Sequence, residues 1–209
     1  MTLDLSVEPD WSRIPLQRQP RQQRSRDKVA RALAAASRIA SDEGVDALTL
    51  PRVADDAGVS VGALYQYLPD REAIVRALVD EYHARLETLM AETVALTRAS
   101  TPPADPIAHV IGAVIEIYRD RGAARGLATA SGPEIDADRR DHKTRMAAAT
   151  AELLSASGLA ADGADAQARA RIAFLTADAV LHDAFAAPPE VRERLLGELR
   201  DLLHRYLRP

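Results

Sequence analysis

No cysteine occurs in the 209 residues, which excludes disulfides, thiolate zinc sites and cysteine nucleophiles. Aromatic residues make up only 4%, so a core has to be built mainly from Ala, Leu, Val and Ile. Runs of β-branched residues are few, and Ala- and Leu-rich sequence without them favours helix almost everywhere. No apolar run approaches the roughly 18–20 residues that a membrane span needs. The opening residues, Met-Thr-Leu-Asp-Leu-Ser-Val-Glu-Pro-Asp, lack the basic start and apolar core of a secretory signal. The expectation is a soluble, cytoplasmic protein with no membrane partner. An excess of basic charge is missing too: 27 Lys and Arg face 31 Asp and Glu, for a net charge of −4. Any nucleic-acid footprint therefore has to be local.

Catalytic and metal-binding patterns are also lacking. His83, His109, His142, His182 and His204 are scattered, with no His-Glu-x-x-His and no closely spaced ligand pair. Glu134, Asp136, Asp138 and Asp141 form an acidic group, but no loop glycine and terminal Glu follow as a calcium loop requires. They suit the start of a helix, where negative charge complements the dipole. Neither a Gly-rich phosphate loop nor a Gly-x-Ser-x-Gly elbow occurs. The expectation is no metal, no cofactor and no catalysis.

What is present is ordinary globular bulk, with 47% hydrophobic and 28% charged residues, and one informative stretch, Thr49 to Arg71. Thr49 has a side-chain oxygen suited to an N-cap, and Pro51 falls in the first helical turn, where its missing N–H costs little. Val53, Ala54 and Ala57 recur at helical spacing. Gly58 ends that helix, Val59 turns inward, and Ser60 is placed to cap a second helix over Val61 to Tyr67 with Leu64 inward. Two short helices crossed by a small Gly-containing turn form the helix-turn-helix signature.

The run Val-Ala-Asp-Asp-Ala-Gly-Val-Ser-Val-Gly-Ala-Leu-Tyr-Gln-Tyr-Leu-Pro-Asp-Arg-Glu closely resembles the DNA-binding motif of the tetracycline-repressor (TetR) family. It departs from the family pattern at Leu68, where Phe is usual, and at Pro51, which is less common there. Leu keeps the apolar volume, and Pro is tolerated in a first turn. The resemblance covers about a quarter of the chain. It implies an all-α fold of about nine helices, with an N-terminal three-helix helix-turn-helix head and a C-terminal helical ligand-binding and dimerisation domain.

Along the chain, residues 1–24 are polar and Pro-interrupted, and read as a basic, flexible arm. Its arginines, with Arg26 and Lys28 just beyond, either touch phosphates or a minor groove, or form a solvated tail with no fixed partner. Residues 25–70 make the head, beginning with a helix from about Ser25 to Glu43 that carries Val29, Leu33, Ala36, Ile39 and Ala40 as its apolar stripe. Residues 71–209 make the effector-binding and dimerisation domain. Its first helix starts after Asp70 and runs to about Arg98, a natural lever between head and body. Ser100-Thr-Pro-Pro-Ala-Asp-Pro106 breaks it. Further helices are expected at about 106–121, with Ile107, Val110, Val114, Ile117 and Tyr118 inward, and at 123–130, 136–157, 164–186 and 189–207.

A recognition helix reads base edges near its N-terminus. Here those positions are Val61, Gly62 and Ala63, with Gln66 one turn on. Gln pairs bidentately with adenine, and Ala or Val meets a thymine methyl. Tyr65 and Tyr67 carry hydroxyls suited to phosphate. By resemblance Thr49 and Arg71 also take phosphates, and Arg52 is a further candidate. In the body, the family's pocket position implies Leu86, Met90, Val114, Tyr118, Met146, Phe174, Asp178 and His182 as lining, suited to a small hydrophobic or amphipathic effector; the alternative for each is ordinary core. Leu195, Leu199, Leu202, Leu203 and Tyr206 on the last helix, with Phe174 before it, form an apolar face that serves either a homodimer interface or an intrachain core.

The resulting expectation is a sequence-specific DNA-binding transcriptional regulator. It is a homodimeric repressor released from a near-palindromic operator by a small effector. The alternative is a ligand-binding or interaction protein on the same scaffold without specific DNA binding.

Overall fold

The computed structural model describes residues 14–99, 104–109, 111–112, 115, 132–158 and 164–207. Among them seven continuous α-helices and one 3-10 turn occur: α1 (Gln23–Glu43), the 3-10 turn (Val45–Ala47), α2 (Leu50–Asp56), α3 (Val61–Tyr65), α4 (Arg71–Arg98), α5 (Pro133–Ala156), α6 (Ala164–Ala186) and α7 (Pro189–Leu207). Residues 106–109, 111–112 and 115 are helical as well. No strand is found among the described residues. The fold is all-α, as the composition requires, and the short helix expected over 123–130 lies outside the described residues. None of the described helices is long and apolar enough to cross a membrane.

The chain divides into two compact units. The first, the head, takes the described residues through Ala84 and adds residues 132–136, the start of α5. It therefore runs past residue 70 and includes the first half of α4. Its core is Val29, Leu33 and Ala36 of α1, Leu48, Val53, Ala54, Leu64 and Leu68 of the motif, and Ile74 and Leu78 of α4. Small residues on α1 let the short helices approach closely. Ile135 joins this core, and Glu134 beside it accepts from Arg76 Nη1 at 2.5 Å.

The head also holds part of the stretch assigned to a flexible arm. Ile14 is 3% exposed and belongs to the core, with Leu16 packed against it. The Gln17 amide donates to the Tyr67 carbonyl at 3.0 Å, Gln19 Nε2 donates to the Ile14 carbonyl at 3.1 Å, and Arg26 Nε donates to the Pro20 carbonyl at 3.4 Å. From Ile14 onward the chain is thus docked rather than free. The reason is an apolar island, Ile14 and Leu16, that finds a place on the head. Residues 1–13 lie outside the described residues.

The second unit, the body, begins within α4 at Arg85 and includes α5 from Ala137, α6 and α7. Helices α6 and α7 are antiparallel neighbours, pinned at both ends by arginines. Arg169 near the start of α6 lies over the Tyr206 ring at 5.7 Å and donates to its carbonyl at 2.6 Å. At the other end Arg192 lies over the Phe185 ring at 5.2 Å. The helical stretch from residue 106 opens with Asp105 as its cap, which accepts from the Ala108 amide at 3.0 Å. Asp105 also meets His204 Nε2 of α7 at 2.6 Å. Burial raises the Asp105 pKa, but the Ala108 and Ile107 amides and the His204 ring outweigh it, so its carboxyl titrates below its usual range. The buried face of this stretch is Ile107, Ile111 and Ile115; the expected Val110, Val114, Ile117 and Tyr118 lie outside the described side chains.

Candidate nucleic-acid interface

The helix-turn-helix is built by two side-chain caps and one glycine. Thr49 Oγ1 accepts from the Arg52 amide at 3.4 Å at the start of α2, and Ser60 Oγ accepts from the Ala63 amide at 3.3 Å at the start of α3. Caps of this kind contribute about 1 kcal/mol each. Between them Gly58 takes φ 63°, a left-handed conformation that disfavours any side chain. The turn is then closed by the Val59 amide donating to the Ala54 carbonyl at 2.9 Å. Helix α3 ends at Tyr65, with Gln66 as its C-cap, two residues earlier than the sequence pattern suggests. Tyr67 still follows closely, its amide donating to the Leu64 carbonyl at 2.9 Å.

Burial sorts the motif into an inner and an outer face. Leu64 and Leu68 are buried in the head. Val61, Gly62, Tyr65 and Gln66 are exposed and Ala63 is half-buried. Val61 is 42% and Tyr65 56% exposed, unusual for large apolar or aromatic groups. A Cβ added at Gly62 would meet nothing within 4 Å, so packing within the protein gives no reason for glycine there. The two tyrosines differ: Tyr65 stands out from the surface, whereas Tyr67 packs against the head core.

The cations of the motif are not free. Arg52 in the first turn of α2 holds Glu43 with both Nη atoms, one contact at 2.9 Å and a shorter one from Nη2. The Arg52 hydrogen bond holds the Glu43 carboxyl below its usual pKa, overcoming desolvation. Arg71, the first residue of α4, donates from Nε to the Val45 carbonyl at 3.2 Å and from Nη2 to Asp46 at 2.5 Å. Arg38 pairs with Asp56 at 2.7 Å. Sequence reasoning missed Glu43 and Asp46 as part of this surface. The signal was there in the acidic excess around the motif. By contrast, Arg18, Arg21 and Arg24 are exposed in the docked N-terminal segment and the start of α1.

These features, two capped helices crossed at Gly58 with an exposed, partly apolar second helix, form a helix-turn-helix head. The pattern of the bacterial regulatory proteins of the tetR family matches residues 32–78, and the tetracyclin repressor-like C-terminal domain matches residues 102–207. The chain belongs to the TetR family. That family is one of bacterial regulatory proteins. A nucleoid occlusion factor, SlmA, of Pasteurella multocida is 30% identical over 79 residues, covering 38% of each chain. The chain thus spans well under half the length of that relative. Among solved structures, a TetR-family regulator from Mesorhizobium loti covers 89% of this chain and 98% of its own at 16% identity and a TM-score of 0.69. The SmeT–triclosan complex covers 84% of this chain and 89% of its own, at 21% identity and a TM-score of 0.62. At these identities the structures establish the TetR fold.

The body residues expected to line an effector site fall into two groups. Leu86, Met90 and Met146 are buried, and Phe174, Asp178 and His182 are half-buried; Val114 and Tyr118 lie outside the described residues. Around them is a polar network the sequence did not reveal. His142, 4% exposed, meets Glu87 at 2.8 Å and stands edge-on to the Phe174 ring at 6.4 Å between centroids. Arg145 Nε reaches the same Glu87 oxygen at 2.9 Å. On the next helix Asp178 pairs with Lys143 at 2.8 Å, and its carbonyl lies 2.7 Å from His182 Nδ1. Glu87, His142 and Lys143 come from three-dimensional packing of α4, α5 and α6, for which the linear spacing offered no pattern.

The residues expected at a dimer interface also divide. Leu199 and Leu203 are buried within the chain, Leu195, Tyr206 and Phe174 are half-buried, and Leu202 is 49% exposed. Ile172 and Leu175 of α6 and Val191 of α7, not singled out by the sequence, are exposed as well.

Proposed function

We propose that the protein is a homodimeric repressor that binds a near-palindromic operator and is released by a small hydrophobic or amphipathic effector. The observation that carries DNA recognition is the exposure of Val61, Gly62, Tyr65 and Gln66 on α3 above a buried Leu64. A helix presented this way enters the major groove with its N-terminal residues at base edges. Gln66 reads adenine through its amide, and Gly62 brings the backbone close to the duplex. Thr49, Tyr65, Tyr67, Arg52 and Arg71 take phosphates and set affinity. The docked segment with Arg18, Arg21 and Arg24 adds a second, basic contact.

Dimerisation is supported by the apolar side chains that α6 and α7 leave outside the chain's own core: Ile172, Leu175, Val191 and Leu202. A second copy of this surface buries them and presents two heads to half-sites about one helical turn, ~34 Å, apart. Effector release is supported by the half-buried Phe174, Asp178 and His182 beside the Glu87–His142 network, and by the relative SmeT, solved with triclosan. Because α4 belongs to the head through Ala84 and to the body from Arg85, an effector that favours one state of α4 biases the head. A 10- to 100-fold loss of DNA affinity needs only ~1.4–2.7 kcal/mol of such coupling.

Selection from a random duplex pool tests the reading. One palindromic motif, with affinity lowered by a compound that stabilises the protein in a thermal-shift screen, supports it. No enriched sequence favours an interaction protein on the same scaffold. A second reading, a nucleoid-type binder without effector, is favoured by the SlmA relative. Steep salt dependence with little sequence preference would mark it.

A further inference from the structure

The surface around the motif is acidic where a DNA reader is expected to be basic. Between residues 38 and 71 three arginines, Arg38, Arg52 and Arg71, face six carboxylates, Asp42, Glu43, Asp46, Asp55, Asp56 and Asp70, with no lysine. Each of the three arginines is engaged by a carboxylate. Two of them, Arg52 and Arg71, are the motif's own candidates for phosphate.

The geometry makes the engagement competitive. A guanidinium presents its donors in a planar fork that fits a carboxylate or a phosphate in the same bidentate way. Arg52 commits both Nη atoms to Glu43, so a phosphate oxygen has to displace that carboxylate to gain the same bonds. Arg71 is held by Asp46 through Nη2 while Nε is spent on the Val45 carbonyl. The pairs lie in solvent: the side chains are 43% and 49% exposed for Arg52 and Glu43, and 39% and 97% for Arg71 and Asp46. Exposed pairs of this kind are weak, so exchange is open to them.

We propose that Glu43 and Asp46 are intramolecular competitors of the DNA phosphates, holding Arg52 and Arg71 in the DNA-free protein and limiting operator affinity. The proposal rests on the reading that the head binds duplex DNA. It makes these two carboxylates the affinity-tuning residues of the head. Removing either one strengthens binding, which ordinary interface mutations rarely do. The gain has to run through the partner arginine.

The experiment uses the full chain and the duplex selected by the wild-type protein, with anisotropy titrations over a range of salt. Glu43→Gln and Asp46→Asn are each expected to bind about two- to fivefold tighter at low salt, the range open to a released surface pair. The double variant is expected to bind more tightly still. Asp46→Asn in an Arg71→Ala background, and Glu43→Gln in an Arg52→Ala background, are expected to gain little. Asp42→Asn, a neighbouring carboxylate outside these pairs, measures the general field. Equal or weaker binding by both Glu43→Gln and Asp46→Asn, with melting unchanged, overturns the proposal. So does a gain that persists undiminished without the arginine or is matched by Asp42→Asn. A wild-type protein that enriches no duplex sinks the DNA-binding reading itself; tight wild-type binding without these gains sinks the proposal alone.

Discussion

The backbone amide of Gln17 donates to the carbonyl of Tyr67 at 3.0 Å, tying the N-terminal segment to the chain just beyond α3. With Ile14 in the head core, this hydrogen bond turns part of a charged tail into a positioned element. Arg18, Arg21 and Arg24 therefore start from a fixed place beside the motif. Replacing all three with Ala is expected to lower affinity for every duplex and to reduce the steepness of log K against log salt by up to about 2.7, at roughly 0.9 for each phosphate no longer neutralised. Unchanged salt slopes would return these residues to the solvated tail.

Gln66 and Arg71 should divide recognition between them. Gln66→Ala is expected to relax one operator position, seen as a loss of information at that position in parallel selections. Arg71→Ala is expected to weaken all sequences alike and flatten the salt slope by about 0.9. If both variants lose affinity uniformly, Gln66 is not the base reader.

Gly62 offers a cleaner separation of fold from function. Nothing lies within 4 Å of a Cβ placed there, and Ala is the better helix former by up to about 1 kcal/mol. Gly62→Ala should hold or raise the denaturation midpoint while weakening operator binding. A variant that binds normally shows that the backbone does not approach the duplex at that point.

On α7, two leucines three residues apart should behave differently. Leu202→Glu places charge on the exposed face and is expected to shift the protein from dimer to monomer in sedimentation, with its fold retained. Leu199→Ala removes a 2% exposed side chain and is expected to cost about 2–5 kcal/mol in chemical denaturation. A dimer that survives Leu202→Glu moves the interface elsewhere.

Asp105 carries a pH signature. Its folded-state pKa is lowered, so its contribution is present above the ordinary value of 3.8 and is lost as pH falls through the depressed folded value. Asp105→Asn is accordingly expected to be less stable than wild type at neutral pH, with the gap closing in acid. Because the Asp105 side chain is 43% exposed, the effect is modest, and thermal melts from pH 7 to pH 2 measure it. A gap that stays constant with pH removes the ionised carboxylate as its cause.

Local chemistry made much of this protein legible before folding. Thr49, Gly58 and Ser60 specify a cap, a left-handed turn and a second cap within twelve residues, and each acts through its own backbone neighbourhood. The same holds for the end of α4 at Arg98, which falls just before the proline-rich break that predicts it. Amphipathic spacing likewise placed Val29, Leu33, Ile39, Val53 and Leu64 inward, because each helix has to bury one stripe wherever its partner lies.

Other features needed partners distant in sequence. Asp46 and Arg71 are 25 residues apart, and Glu87 and His142 are 55 apart; no periodicity relates such positions. Ile14 read as part of a polar arm because a short apolar island has no meaning until a surface receives it. On α7 the sequence placed five apolar side chains on one face, yet packing buried Leu199 and left Leu202 outside. The stretch from Thr49 to Arg71 shows both sides of this division. Its residues alone determined two capped helices and the exposed start of α3, since caps, turns and helical stripes are local. Only the tertiary structure decided that Arg52 and Arg71 meet Glu43 and Asp46, because an ion pair depends on where the chain brings charge together.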